Sequence, residues 1–255
     1  MSETEDERAR RLLTAHIDRN LPKRFYKQDA VGESDTGFEI QLDGRAVNTP
    51  LKRPFAVPSR DMAHAIAAEW DAQETHIDPS SMIVTRLANT AVDRVRGDEA
   101  RIVAELREFA GSDLVCYRAG TPDPLVARQA LHWDPILDWV KATHSVQFIC
   151  VEGIVHHAQP DTALAAISKA LTAENEFRLT AIHNITTLTG STLLAMMTAA
   201  GAFSGEAAWT AANADEDWQI EQWGEDDDAT ALAEHTRRAF DHAAHFLAWV
   251  REGEK

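Results

Sequence analysis

Asp217, Glu221 and Glu225 recur at every fourth residue within DEDWQIEQWGEDDD, residues 215–228, a stretch with eight acidic side chains, two tryptophans and no Lys or Arg. Carboxylates four apart share one face of a helix. From such a face a divalent-cation site or an acid/base pair can be built. The last helical pattern adds His235, His242 and His245, so a carboxylate/histidine metal-dependent hydrolase is one reading of the chain. Spacing counts against it. His235 and His242 stand about 10 Å apart along a helix axis, too far to share one ion, and no Glu-x-x-His pair repeats as it does in di-metal bundles. Leu232, Ala239, Phe240, Ala243, Phe246, Leu247 and Val250 define an apolar face, which leaves the histidines flanking a core or facing water. No metal and no other cofactor is expected.

Two further readings of the acidic stretch stay open. As a solvated helix end, Gly224 suits the residue after a helix, and Asp226, Asp227 and Asp228 suit the start of the next one, where the helix dipole favours anions. Glu221 and Glu225, however, would sit near a helix C-terminus, where that dipole disfavours them. As a docking surface, Trp218 and Trp223 are the residue type most used as interface anchors, and the acids would form a charged rim.

Other motifs carry less. Gly190-Ser191 opens an apolar run in LTGSTLLA but lacks the lysine and further glycines of a phosphate-cradling loop. GAFSG places Ala202 where a nucleophile elbow needs glycine, after a helical rather than an extended pattern. Cys150 precedes His156 and His157 in CVEGIVHH, and a buried structural cysteine is the expected role.

The whole chain constrains what these residues serve. With 255 residues, 44% hydrophobic and 26% charged, it is an ordinary globular sequence, long enough for one large or two modest domains. Its formal charge of −16 opposes nucleic acid and anionic membrane as partners. Two cysteines are too few for a disulfide framework. No apolar run approaches the roughly 20 residues that span a bilayer. The acidic opening MSETEDERARRLL is unlike a targeting segment, so a cytoplasmic bacterial protein is expected. Charge is also uneven: residues 179–236 hold ten acids and no Lys or Arg, whereas residues 1–60 are nearly balanced.

The elements that must position the acidic stretch can be read in order. Residues 4–19 suit an amphipathic helix carrying Leu12, Leu13 and Ile17. Phe38, Ile40 and Leu42 alternate with polar residues up to Asp43-Gly44, a strong hairpin signal, and Pro50, Pro54 and Pro58 punctuate further extended segments. From Ser59, a suitable N-cap, Met62, Ala63, Ile66, Ala67 and Trp70 recur at helical spacing. Helical patterns then dominate, including FRLTAIHNITTLTGSTLLAMMTAAG and GEAAWTAANADEDWQIEQW. The expected fold class is α+β: a β-rich N-terminal domain with a covering helix over residues 1–78, then an all-α domain over 79–255.

EWDAQ, IDPSSMIVTRLANTAVDRV, FAGSDLVCYRA, WDPILDW, LTGSTLLA and DEDWQIEQWGED occur in the order seen in the ATP synthase F(1)-complex assembly factor two family, which the chain resembles from about residue 24 to its last helix. That resemblance implies a small β-containing domain followed by a helical one, and a chaperone rather than an enzyme, with no cofactor. It further implies a partner, the unassembled α subunit of the F-type ATP synthase catalytic head, whose β-facing surface the chaperone covers until assembly. Relatives in eukaryotes are mitochondrial and carry an import extension unlike this opening, so the proteobacterial branch is implied, and a monomer is expected. Matched residue by residue, the partner-binding candidates are Asp217, Trp218, Glu221, Trp223 and Glu225. Trp70, Asp71, Arg86, Asn89, Asp93 and Arg94 match other family blocks as weaker candidates, with Trp70, on the apolar stripe of its helix, better suited to the core, and Arg86 and Asp93 equally suited to a buried polar network between domains.

Overall fold

Asp43-Gly44 makes the expected hairpin: in the computed structural model β2 (Gly37–Leu42) turns back into β3 (Arg45–Ala46) with Leu42 opposite Arg45. Asp43 at φ 49° and Gly44 at φ 75° supply the two left-handed positions of a type I′ turn. The Asp43 carboxylate accepts hydrogen bonds from the Lys27 and Gln28 backbone N–H groups, which hold its pKa below the usual carboxylate value. The structure describes residues 21–224 and 227–253, without the side chains of 227–232; the helix expected over residues 4–19 lies outside them.

β1 (Asp29–Ser34) and β4 (Ala56–Val57) also pair antiparallel with β2, completing a four-stranded sheet. Alternation along β2 buries Ile40 and Leu42 and leaves Phe38 half-buried beneath the Arg60 guanidinium. α1 (Arg60–Asp71) starts where Ser59 Oγ accepts from Met62 N at 3.2 Å and buries Met62, Ala63, Ile66 and Ala67. It packs on β1, β2 and β4, so the covering helix is where the apolar spacing placed it.

By contacts the chain divides after Arg86 rather than after residue 78, into units 1–86 and 87–255. The reason is Glu69. Its carboxylate on α1 accepts from Val84 N, Thr85 N and Thr85 Oγ1 at 2.7–2.8 Å, tying the start of α2 (Ile83–Thr90) back to the sheet unit. α2 then runs into a π turn, Ala91–Val95.

The second unit is built from α3 (Glu99–Gly111), α4 (Asp123–His144), α5 (Asp161–Thr172), α6 (Glu176–Thr189), α7 (Thr192–Ala199), α8 (Gly205–Ala212), α9 (Ala214–Trp223) and α10 (Asp227–Gly253). It is not purely helical: β5 (Tyr117–Arg118) and β6 (Val151–Glu152) form a two-residue parallel pair. α6 lies at the centre, packed by α3, α7, α10 and the π turn. All eight residues of α7 are buried. The run read as one helical pattern from residue 177 to 201 is therefore two helices. Gly190 at φ 72° ends the first, and Ser191 Oγ caps the second by accepting from Leu194 N. α4 continues through Pro135. Pro135 removes the donor to the carbonyl four residues back, which is that of Leu131, exposed to solvent that can supply it. On α10 Phe240, Ala243, Phe246, Leu247 and Val250 are buried as expected, and the side chain of Leu232 lies outside the described residues.

Asp113 is fully buried where these helices meet, with Oδ2 accepting from Leu193 N at 3.0 Å and Oδ1 from Val115 N at 3.3 Å. Burial pushes its pKa up to about 6, against hydrogen bonds from Ser191 and neighbouring N–H groups that favour the carboxylate. Between the unfolded value of about 3.9 and that folded value, the native state holds more protons than the unfolded chain. The stability from this group is thus full below about pH 4 and lost as pH rises through about 6. Asp113→Asn cannot titrate. In urea melts from about pH 4 to 8, the variant should gain on the wild type up to about pH 6 and run parallel above it; a pH-independent gap would show that Asp113 titrates normally.

Candidate functional site

α9 carries the acidic stretch as far as Trp223, and Asp215, Glu216 and Asp217 occupy its first turn, where the dipole favours anions. The pattern read as one helix from Gly205 breaks at Asn213, whose Nδ2 turns back to the Trp209 carbonyl at 2.9 Å. α9 is seated on α4 and α8. Beneath it Trp133, with no exposed surface, donates from Nε1 to the Ala211 carbonyl at 2.7 Å. Gln129, also buried, donates to Asp215 Oδ1 and accepts from Ala119 N, both at 2.8 Å. One amide thus joins the start of α9 to the end of β5.

One of these carboxylates, Glu221, has a cationic partner. Arg128 on α4 reaches α9 with Nη2 2.7 Å and 2.6 Å from the two Glu221 oxygens, while its guanidinium carbon lies 5.5 Å from the centre of the Trp218 ring. Glu221 stands near the helix C-terminus, where the dipole opposes it, and Arg128 is the physical reason it is tolerated. Partial burial raises the Asp217 pKa, opposed by Arg128 and His132 and reinforced by Glu221. Glu225 falls outside the described residues.

The partner-binding candidates occupy two flanks of α9. Trp218 and Trp223 line a groove of about 890 Å³ together with Leu114, Pro122, Leu125 and Ile154. Asp217 and Glu221 line a smaller cleft of about 450 Å³ with Arg128, Leu131 and His132. Trp223 is 78% exposed and Ile154 95% exposed. Val155 and Leu131 are also largely exposed, and Ile220 partly so. Of these only Trp223 and Ile154 line the groove itself, and Leu131 belongs to the smaller cleft; exposed apolar groups that share a groove carry more weight as an interaction feature than single ones. Trp218, half-buried under Arg128, is a wall of that groove, and Trp223 is its largely exposed ring.

The weaker candidates belong to other elements. Trp70 packs on Tyr26, Leu42, Ile77 and Met82, its ring centre 5.6 Å from that of Tyr26, so it belongs to the edge of the sheet unit's core. Asp71 is exposed, 3.7 Å from Arg24. Arg86 and Arg94 are exposed, and Asn89 and Asp93 half-buried. The π turn carrying Asp93 and Arg94 packs on α6, not on the two helices that seat α9. His235 and His245 are exposed and His242 half-buried, and among the described residues no three His, Cys, Asp or Glu side chains group as a metal ion would require.

Arg128, Gln129, Ile154 and Val155 were not singled out from sequence. Arg128 carries no local signal of its partner 93 residues on. Ile154 and Val155 did carry one: an apolar pair after Gly153, in a segment without strand or helix periodicity.

Comparison with known proteins gives a consistent assignment. A family model described as ATP12 chaperone protein matches residues 23–141, a span that includes Arg128 and Gln129 but ends before α9. Protein atp12, mitochondrial, of Schizosaccharomyces pombe is 25% identical over 219 residues, 81% of this chain and 75% of that protein. The crystal structure of Atp12 from Paracoccus denitrificans superposes with a TM-score of 0.84 at 32% identity, over 90% of this chain and 98% of that one. The Agrobacterium tumefaciens Atu1473 structure gives 0.83 at 42% identity, over 94% and 91%.

Proposed function

The chain belongs to the ATP12 chaperone family, as its motifs imply, and on that premise we propose that it is an assembly chaperone of the F-type ATP synthase catalytic head. It binds the unassembled α subunit and covers the surface that later meets β. The observation that carries this reading is the largely exposed Trp223 beside Ile220 and Ile154 at an apolar groove, with the Asp217 and Glu221 carboxylates along the adjoining flank. Apolar anchors supply the affinity of such a contact, and a charged rim sets encounter and orientation. Glu225, outside the described residues, is kept as a candidate on the strength of the family motif. Trp70, Asp71, Arg86, Asn89, Asp93 and Arg94 are kept as secondary contacts. The protein acts as a monomer in the bacterial cytoplasm, without catalytic chemistry. Among the described residues no helix is long and apolar enough to cross a membrane.

The direct test is capture of the same organism's α subunit by this protein from cells lacking β. Recovery of α, and its release when β is added, is the expected result; capture of β instead, or of neither, overturns the reading. Glu221→Gln probes the rim. Arg128 and Glu221 form a partly exposed ion pair, worth about 0–1 kcal/mol, so the variant should lose less than about 1 kcal/mol of stability. Association with α should slow at low salt and approach the wild-type rate at high salt. An association rate equal to the wild type's at every salt concentration would place the steering charge elsewhere.

A further inference from the structure

The two cysteines, which the partner surface does not use, are brought together by the β5–β6 pair. Cys116 ends the turn before β5, and Cys150 immediately precedes β6. Tyr117 stands opposite Val151 in parallel register, so one step back along both strands sets Cys116 beside Cys150. Neighbouring strands lie about 4.8 Å apart, within the roughly 4.4–6.8 Å Cα separation of a disulfide. Both thiols are free, and each shifts the ionisation of the other. Cys150 is exposed, contrary to its expected buried role, whereas Cys116 is buried.

This asymmetry assigns roles. The Cys116 hydrogen bond and, against the effect of burial, the Arg118 charge lower the Cys150 thiol to about 6. The same hydrogen bond and burial raise that of Cys116. Arg118 Nη2 is buried with no hydrogen-bond partner among the described residues, leaving a donor free for a thiolate.

We propose that Cys150 and Cys116 are a redox-active pair that exchanges with a low-molecular-weight disulfide and closes to an intramolecular disulfide. The Cys150 thiolate attacks one sulfur of the small disulfide, whose S–S bond breaks and whose other half leaves as a thiolate that takes a proton from water. Cys116 then gives its proton to solvent, and its sulfur attacks Cys150 Sγ, expelling the second half. Two protein thiols lose two protons and two electrons, and one disulfide is reduced to two thiols. In a reducing compartment such a pair is a transient, sensing bond rather than a structural one. The bond would pin the β6 segment to β5. Gly153 and Ile154, just beyond β6, line the groove with Tyr117 and Ala119, so oxidation would fix that wall.

The test is to incubate the full-length protein with glutathione disulfide and follow intact mass and denatured thiol content. The wild type should lose both thiols and two hydrogens without retaining an adduct. Cys116→Ser, or Cys116→Ala should the first variant fold poorly, should hold one glutathione on Cys150. Cys150→Ser should stay unmodified over the same time. A wild type that keeps both thiols, or that accumulates a single glutathione adduct with Cys116 still free, overturns the proposal. So does modification of Cys150→Ser at the wild-type rate.

Discussion

Trp223→Ala is expected to weaken binding to the α subunit roughly thirty-fold, or about 2 kcal/mol, and to leave the thermal unfolding midpoint unchanged. The two halves of this expectation share one cause. The ring lies at the end of α9, 78% exposed beside a groove, so the isolated protein loses little packing when it is removed. In the complex that ring is available for burial, and a buried indole at the centre of an interface is among the costliest side chains to truncate. Titration calorimetry with purified α, beside a melting curve, separates the effects. Wild-type affinity in a fully folded variant would move the client contact away from the groove. A lowered midpoint would show that the ring packs on the protein itself.

Trp133→Ala is expected to lose about 4 kcal/mol of folding stability, within the range for removing a buried large aromatic. Trp133 is completely buried, lies under the Arg118 guanidinium and donates to the Ala211 carbonyl at 2.7 Å. Its loss opens a cavity between α4 and α8, the two helices that seat α9. Trp133→Phe keeps most of the volume but strips the Ala211 carbonyl of its donor, which should cost about 1–3 kcal/mol. Urea denaturation of both variants measures the two contributions. A Phe variant as stable as the wild type would show that the hydrogen bond contributes nothing, and an Ala variant within about 1 kcal/mol would show that the site collapses around the missing ring.

Features set by neighbours in the chain were legible from the residues alone. The Asp43-Gly44 turn, the Ser59 cap, the alternation that buries Ile40 and Leu42, and the order of sheet then helices all depend on interactions within a few positions. So does the apolar face of α10. The helix breaks at Gly190-Ser191 and Asn213 were weaker signals. An apolar run such as LLAMMTA is helical in pattern whether or not a new helix starts there, and burial on every side erases the periodicity that would mark its boundaries.

The site divided along the same line. Trp218, Trp223 and the acids near them were visible as a composition without parallel elsewhere in the chain, and the family motifs attached a partner to it. Their arrangement was not visible, because it depends on residues distant in sequence. Arg128 neutralises Glu221 across 93 positions, and Gln129 joins α9 to the end of β5. The seat on α4 and α8 leaves Trp218 and Trp223, with Asp215, on one groove and Asp217 and Glu221 on another cleft. Cys116 and Cys150 meet only because a two-residue parallel pair closes over the intervening helix α4. A helix face can be read from spacing, since backbone geometry sets it. Which neighbour that face meets is settled by how the whole core packs, and in this chain that packing sets Trp218 and Trp223 in one groove and Asp217 and Glu221 in another cleft.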